Sequence, residues 1–358
     1  MSDAAPYPSD AEAIALLEAL VRLYSPSAQE GPAVALLVRT MAAWGLAAHV
    51  DAAGNAVGEI GQGESQIVLL GHIDTAPGEI PVRREGALLY GRGAVDAKGP
   101  LAALAVAAAR AGNLRDVRIT VIGAVEEEAA TSKGAYYAAE RYRPAYCIIG
   151  EPSGWNRITL GYKGRLLVDY VLERPMSHTA GRQRSAAEEA VAFWARLTAW
   201  AEEYNRDKSA AFATLDPSLR HICTQDDGLR ERVEMTIGLR LPMELDVAAL
   251  RQEMEAWRGL AQVTYYAHEQ PFRAEKRNPL TGAFLAAIRA EGGSPAFVLK
   301  TGTADMNVVG PRWGCPIVAY GPGDSALDHT PEEHLDLEEY LRAIRVLTDV
   351  LRRLARQS

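Results

Sequence analysis

The chain has 358 residues, a formal net charge of −8, 48% hydrophobic and 23% charged residues. This globular composition excludes a disordered chain, a collagen-like chain and a coiled-coil rod, and the acidic balance argues against a broad nucleic-acid-binding surface. The length predicts about two domains, the longest apolar stretch, around residues 100–109, is too short and Ala-rich to span a bilayer, and the start MSDAAPYPSD lacks the basic and apolar runs of a signal peptide.

In chain order, residues 11–24 carry Ile14, Leu16, Leu17, Leu20, Val21 and Leu23 at amphipathic-helix spacing, and 33–44 repeat it with Val34, Leu37, Val38 and Met41. Ile67–Leu70 is an apolar run that reads as a buried strand and ends in Gly71-His72-Ile73-Asp74. Pro100 opens an Ala/Leu helix to about Arg110, with Gly99 as its expected cap. Ile119–Val125 reads as a second strand and ends in Glu126-Glu127-Glu128; Tyr146–Ile149 is a third, ending in Gly150-Glu151-Pro152. The middle of the chain changes character: strands at 165–173, 232–241 and 263–268 alternate with helices at 186–204 and 246–257, and 205–227 has no clear period. A helix over 280–290, a fourth buried strand over 316–320 and a final helix from about Leu337 close the chain. Strands alternating with helices predict an α/β domain with a largely parallel sheet, interrupted by a smaller α+β domain. The odd number of cysteines, Cys147, Cys223 and Cys315, reads as free buried thiols in a reducing compartment, which predicts a cytoplasmic protein.

Polar residues cluster where these strands end, which is where α/β sheets carry their sites. His72 and Asp74 are two apart, so in extended chain they point the same way, and the aspartate can fix the imidazole tautomer that a metal needs. Asp96 lies between Gly93 and Gly99; Glu126, Glu127, Glu128 and Glu151 follow buried strands; His329 follows a glycine turn. Singly, a histidine is more often structural and a glutamate run more often a solvated face. Together, that many carboxylates at one sheet edge are costly unless cations neutralise them. Imidazole and carboxylate without thiolate suit zinc, cobalt or manganese.

The segments Gly71-His72-Ile73-Asp74-Thr75, Gly91-Arg92-Gly93-Ala94-Val95-Asp96-Ala97-Lys98-Gly99, Glu126-Glu127-Glu128, Gly150-Glu151-Pro152-Ser153 and Asp328-His329 resemble, in order along nearly the whole chain, those of the co-catalytic zinc aminoacylase and exopeptidase family. Acetylornithine deacetylase, succinyl-diaminopimelate desuccinylase and carboxypeptidase G are members. The resemblance implies an α/β metallopeptidase-like catalytic domain with a mostly parallel central sheet (1–160 and 275–358), interrupted by an α+β ferredoxin-like lid or dimerisation domain (161–274). It implies two divalent metal ions per subunit, Zn2+ or alternatively Co2+. His72 and Glu151 would bind one, Glu128 and His329 the other, and Asp96 would bridge them. Asp74 would be the partner of His72 and Glu127 the general base, taking the proton of a water that attacks an amide carbonyl. His178 would reach the site of a partner subunit in a homodimer and bind the oxyanion. Glu126, an aspartate in many relatives, reads as a solvent-facing charge at a helix start.

Substrate contacts are less defined. Lys163 and Arg165, and the turn Lys300-Thr301-Gly302, offer cations and backbone donors for a substrate carboxylate. The segments around Glu126-Glu127-Glu128 and Ser132-Lys133-Gly134, Lys300 to Asn307 and Leu327 to His334 further resemble lysine-releasing hydrolases of a carrier-protein pathway. That implies cleavage of the amide joining lysine or ornithine to the C-terminal γ-glutamyl group of a small acidic amino-group carrier (LysW-like), in lysine or arginine biosynthesis. Arg174, Arg182 and Arg184 offer local positive charge for such a carrier. Two alternatives keep the fold: an N-acetyl-lysine or acetylornithine deacetylase, and a catalytically dead binding protein. No feature points to nucleic acid or membrane.

Overall fold

Four apolar runs form the parallel centre of the largest sheet. Ser65–His72 pairs in parallel with Val117–Ala124 on one side and Tyr146–Gly150 on the other, and Ile317–Ala319 adds in parallel to Tyr146–Gly150. Buried on both faces, these strands read as unbroken apolar sequence rather than as alternation. The sheet runs Ala47–Val50, Ala56–Gly61, Val117–Ala124, Ser65–His72, Tyr146–Gly150, Ile317–Ala319, Arg157–Tyr162, Phe272–Arg273, with Ala296–Lys300 also paired to Arg157–Tyr162. The pairings of Ala47–Val50 with Ala56–Gly61, Ala56–Gly61 with Val117–Ala124, and Ile317–Ala319 with Arg157–Tyr162 are antiparallel. This computed structural model describes residues 7–356 apart from Ser177, Thr179, Ala180 and Arg182.

The helix Lys98–Ala111 is buried at every position but Arg110, as expected of a helix apolar all round. Gly71, Gly123 and Gly150 are neighbours across the three strands beneath it. A Cβ at Gly150 would stand 2.7 Å from Leu104 Cδ1, and one at Gly71 3.3 Å from Leu101 Cβ. Glycine therefore brings this helix hard against the strand ends, and with it Asp96, two residues before the helix begins. The cap is Ala97 rather than Gly99, and Pro100 sits inside the first turn.

The chain divides into two compact units: 1–161 with 273–299 and 304–358, and 162–272 with 300–303. The second has a four-stranded antiparallel sheet in the order Asp216–Asp226, Arg230–Leu241, Gly164–Pro175, Gln262–Glu269. With the helices Ala186–Asn205 and Val247–Trp257 it has the ferredoxin-like order strand, helix, strand, strand, helix, strand. Leu166, Val168, Tyr170 and Leu172 alternate onto one face and share a buried cluster with Phe193, Leu197, Leu250 and Met254. The aperiodic stretch 205–227 resolves into the 3-10 turn Ala211–Ala213 and the strand Asp216–Asp226. That outer strand buries neither face, so it leaves no hydrophobic alternation to read.

All three cysteines are free, but only Cys147 is buried; Cys223 and Cys315 are half-buried, which corrects the expectation of three buried thiols. Among the described residues no helix is long and apolar enough to cross a membrane. In the main core, Phe284 is fully buried with its ring 4.7 Å from that of Tyr320. Phe284→Ala is expected to destabilise its unit by about 3–5 kcal/mol in denaturant unfolding, because the site cannot collapse around the lost ring. A loss under about 1 kcal/mol would contradict this packing.

Candidate metal centre

The polar groups foreseen at the sheet edge converge. His72 ends the strand Ser65–His72, Glu151 directly follows Tyr146–Gly150, and the three glutamates follow Val117–Ala124 after Val125. Asp96 precedes the buried helix, and its peptide bond to Ala97 is cis. His329 lies between the short turn Ser325–Leu327 and the strand His334–Asp336. His72 Nε2 is 3.1 Å from Asp96 Oδ1 and 3.8 Å from Glu151 Oε1. His329 Nε2 is 3.0 Å from both Asp96 Oδ2 and Glu128 Oε1. The two oxygens of Asp96 therefore face two different histidines.

Three groups have ligand atoms within 4.8 Å of one another: His72, Asp96 and Glu151; Asp96, Glu128 and His329; and His72, Glu127 and Glu128. The first two share Asp96 and together contain every residue read as a metal ligand.

The electrostatics favour positive charge. Burial opposes the charged form of His72, but hydrogen bonds to Asp74 and Asp96 win and raise its pKa well above the usual imidazole value. His329 is pushed up to about 10 by its hydrogen bonds to Asp96 and Glu128. Burial likewise opposes the charged form of Asp96, yet hydrogen bonds from His329 and His72 hold its carboxyl well below the usual range. Glu127 and Glu151 are both pushed up, first by burial and then, against the pull of His72, by neighbouring carboxylates including Asp305. A pocket of carboxylates that draws protons onto both histidines and onto two glutamates is one that divalent cations fit.

Asp74 is fully buried, and it does more than face His72. The nearest acceptor to His72 Nδ1 is the Asp74 carbonyl at 3.1 Å; the carboxylate is 3.5 Å away. That carboxylate also accepts from the backbone N–H of Glu127 (3.1 Å), the N–H of Glu128 (3.0 Å) and the Ser27 hydroxyl (2.7 Å). It fixes the loop that carries two of the three glutamates. Glu30, 6% exposed, does the same for the third: its Oε1 accepts from the N–H of Glu126 at 3.1 Å. Glu126 is not a solvent-facing charge at a helix start. It is half-buried in a loop at φ 59°, hydrogen-bonded by Thr131 and 3.5 Å from Lys133. Ser27, Glu30 and Asp305 were not anticipated. The first two act from the loop between the first two helices, where the sequence gives no chemical pattern. Asp305 lies within the Lys300 to Asn307 segment already singled out.

The other predicted residues lie in the second unit. The Lys163 ammonium is fully buried, and its three N–H bonds are accounted for by the Thr214 carbonyl (2.6 Å), the Thr214 hydroxyl (3.0 Å) and Asp216 (2.5 Å). That geometry gives Lys163 a structural ion pair in place of a cation open to substrate. Arg165 differs: its Nε and Nη2 are buried with no hydrogen-bond partner. The turn at Lys300, Thr301 and Gly302 is tied to this unit by Lys163 N–H donating to the Lys300 carbonyl at 3.2 Å. The Thr303 hydroxyl extends the tie, donating to the Lys163 carbonyl at 3.3 Å. His178 is exposed, with the neighbouring 177, 179 and 180 outside the described residues, as is Arg182. Arg174 is paired with Glu231 at 2.7 Å, and Arg184 is exposed.

Residues 68–353 match peptidase family M20/M25/M40. The chain is 47% identical to a LysW-lysine hydrolase of Deinococcus radiodurans over 98% of this chain and 99% of that one. It is 27% identical to a LysW-lysine/LysW-ornithine hydrolase of Saccharolobus solfataricus, over 77% and 78%. Among solved structures, an M20 family metallo-carboxypeptidase from Sulfolobus solfataricus superposes with a TM-score of 0.80 at 18% identity, covering 96% of this chain and 99% of that chain. This last likeness speaks for the fold alone.

Proposed function

The chain belongs to peptidase family M20/M25/M40, and from that premise we propose that it is a metal-dependent amidohydrolase releasing lysine, ornithine or both from the C-terminal γ-glutamyl group of a small LysW-like carrier protein. The observation that carries the chemistry is Asp96, whose two oxygens face His72 and His329 separately. The near full-length likeness to a LysW-lysine hydrolase supports the substrate.

In this reading His72 and Glu151 would hold one divalent ion, Glu128 and His329 a second, and Asp96 would contribute to both. Zinc suits such a donor set, and cobalt can replace it. Such ions, when bound, supply Lewis acidity towards water and the amide carbonyl. Glu127 is the general base. Its carboxyl lies beside His72 and Glu128, and its backbone is held by Asp74. It takes a proton from the attacking water and passes it to the leaving α-amino group. The amide C–N bond breaks, a C–O bond forms on the γ-carbonyl, and the carrier's glutamate is regenerated as a carboxylate. Asp74 keeps His72 and the glutamate loop in place.

Arg165, with two buried N–H bonds lacking an acceptor, is the side chain we assign to a substrate carboxylate, with Lys300, Thr301 and Gly302 contributing from their turn. A homodimer would give His178 its role, an oxyanion donor to the partner subunit. The outer strand Asp216–Asp226, with Leu219 and Ile222 exposed, suits pairing with a second copy. Three free cysteines fit a reducing compartment, the cytoplasm.

Incubating the purified protein with lysine-loaded carrier, acetyl-lysine and acetylornithine side by side tests the substrate. Release from the carrier alone is expected. Release from the acetylated amino acids alone would leave the chemistry standing and make the protein a simple deacylase.

A further inference from the structure

Glu333 is a carboxylate with no solvent exposure. A buried charge is held only where its surroundings satisfy it. Its Oε1 accepts from two consecutive backbone N–H groups, Val95 at 3.0 Å and Asp96 at 3.1 Å. Its Oε2 accepts from Arg92 Nη1 at 2.8 Å. Arg92, 8% exposed, also donates from Nη1 to the Thr330 carbonyl at 3.3 Å and from Nε to the Gly78 carbonyl at 2.9 Å. The backbone closes the same junction, with Gly91 N–H donating to the Glu333 carbonyl at 3.2 Å. Of these residues only Asp96 belongs to the clusters around the metal centre.

The two ends of this brace are the point. One end is the amide of Asp96, the residue shared by both clusters. The other is the carbonyl of Thr330, next to His329. His72 is buried at the end of an interior strand, where it is paired to Ala124, so the sheet anchors its backbone. His329 sits in a loop at φ 60° with its side chain 54% exposed. Nothing in the sheet holds it at 3.0 Å from Asp96.

We propose that Glu333 and Arg92 are positioning residues that set His329 against Asp96 and so govern occupancy of the cation position formed by Asp96, Glu128 and His329. The proposal rests on the dinuclear reading above. It is selective: the position formed by His72, Asp96 and Glu151 has His72 and Glu151 at strand ends and depends on the brace only through Asp96.

The test is zinc titration of metal-free full-length protein, carrying Glu333→Gln or Arg92→Lys, against a chromophoric chelator. Arg92→Lys keeps the charge and loses the fork, so it covers the case in which Glu333→Gln does not fold. The unaltered chain is expected to bind two zinc ions. Each variant should bind the first as tightly and the second about 10–100-fold more weakly, the usual effect of removing an outer partner of a metal ligand. Saturating zinc should then restore kcat with KM unchanged. Two unweakened positions in both variants would overturn the proposal. So would equal weakening of both positions in step with a lowered Tm, the mark of a merely structural pair. An unaltered chain that binds no zinc would instead overturn the dinuclear reading, and this proposal with it.

Discussion

Glu127→Gln is expected to keep its bound metal and lose roughly 10²–10⁴ in kcat, the usual span of a general acid/base contribution. The substitution is nearly isosteric and removes only the ability to take a proton. The backbone N–H of Glu127 still donates to Asp74, so the loop stays in place. The geometry also offers a competing role, because Glu127 groups with His72 and Glu128 at metal-ligand distances. Were Glu127 a ligand, the variant would lose metal together with activity. Measuring bound metal and single-turnover rate on the same sample separates the two. Normal turnover would remove Glu127 from the chemistry.

Asp96→Ala should fail differently. Asp96 is 13% exposed and gives one oxygen to the side of His72 and the other to the side of His329. Its loss takes a ligand from both cation positions at once and leaves each with one imidazole and one carboxylate. Activity is expected to fall to background, and bound metal to drop from about two per chain, the count of a co-catalytic site, to below one. Metal retention at two per chain would show that Asp96 bridges nothing. The contrast with Glu127→Gln, inactive but loaded, is the more informative result.

What the sequence made legible follows from local physics. His72, Glu127, Glu128 and Glu151 could be located because parallel strands buried on both faces are unbroken apolar runs, and polar residues at their ends stand out; Asp96 and His329, in loops, were placed by the family resemblance. Their convergence needed only the rule that such sheets carry sites at the carboxyl edge. The residues that hold them in place were not legible. Ser27 lies 47 positions from Asp74 and Glu333 237 from Asp96, and a serine or glutamate in a loop carries no mark of its partner. The ion pair of Lys163 was hidden for the same reason. Its counter-ion Asp216 lies at the start of the outer strand Asp216–Asp226, whose two exposed faces left no period to place it. The carboxylate of Asp74 was expected at the imidazole of His72, 3.5 Å away, but its further hold on Ser27 and on the N–H groups of Glu127 and Glu128 was not.

The most direct test is mass spectrometry of a lysine-loaded carrier incubated with the purified protein, first as isolated, then after chelation, then after zinc is returned. The account predicts loss of one lysine residue per carrier from its C-terminal glutamate, arrest by the chelator and recovery with zinc. Lysine release that continues unchanged in the chelated protein would contradict it.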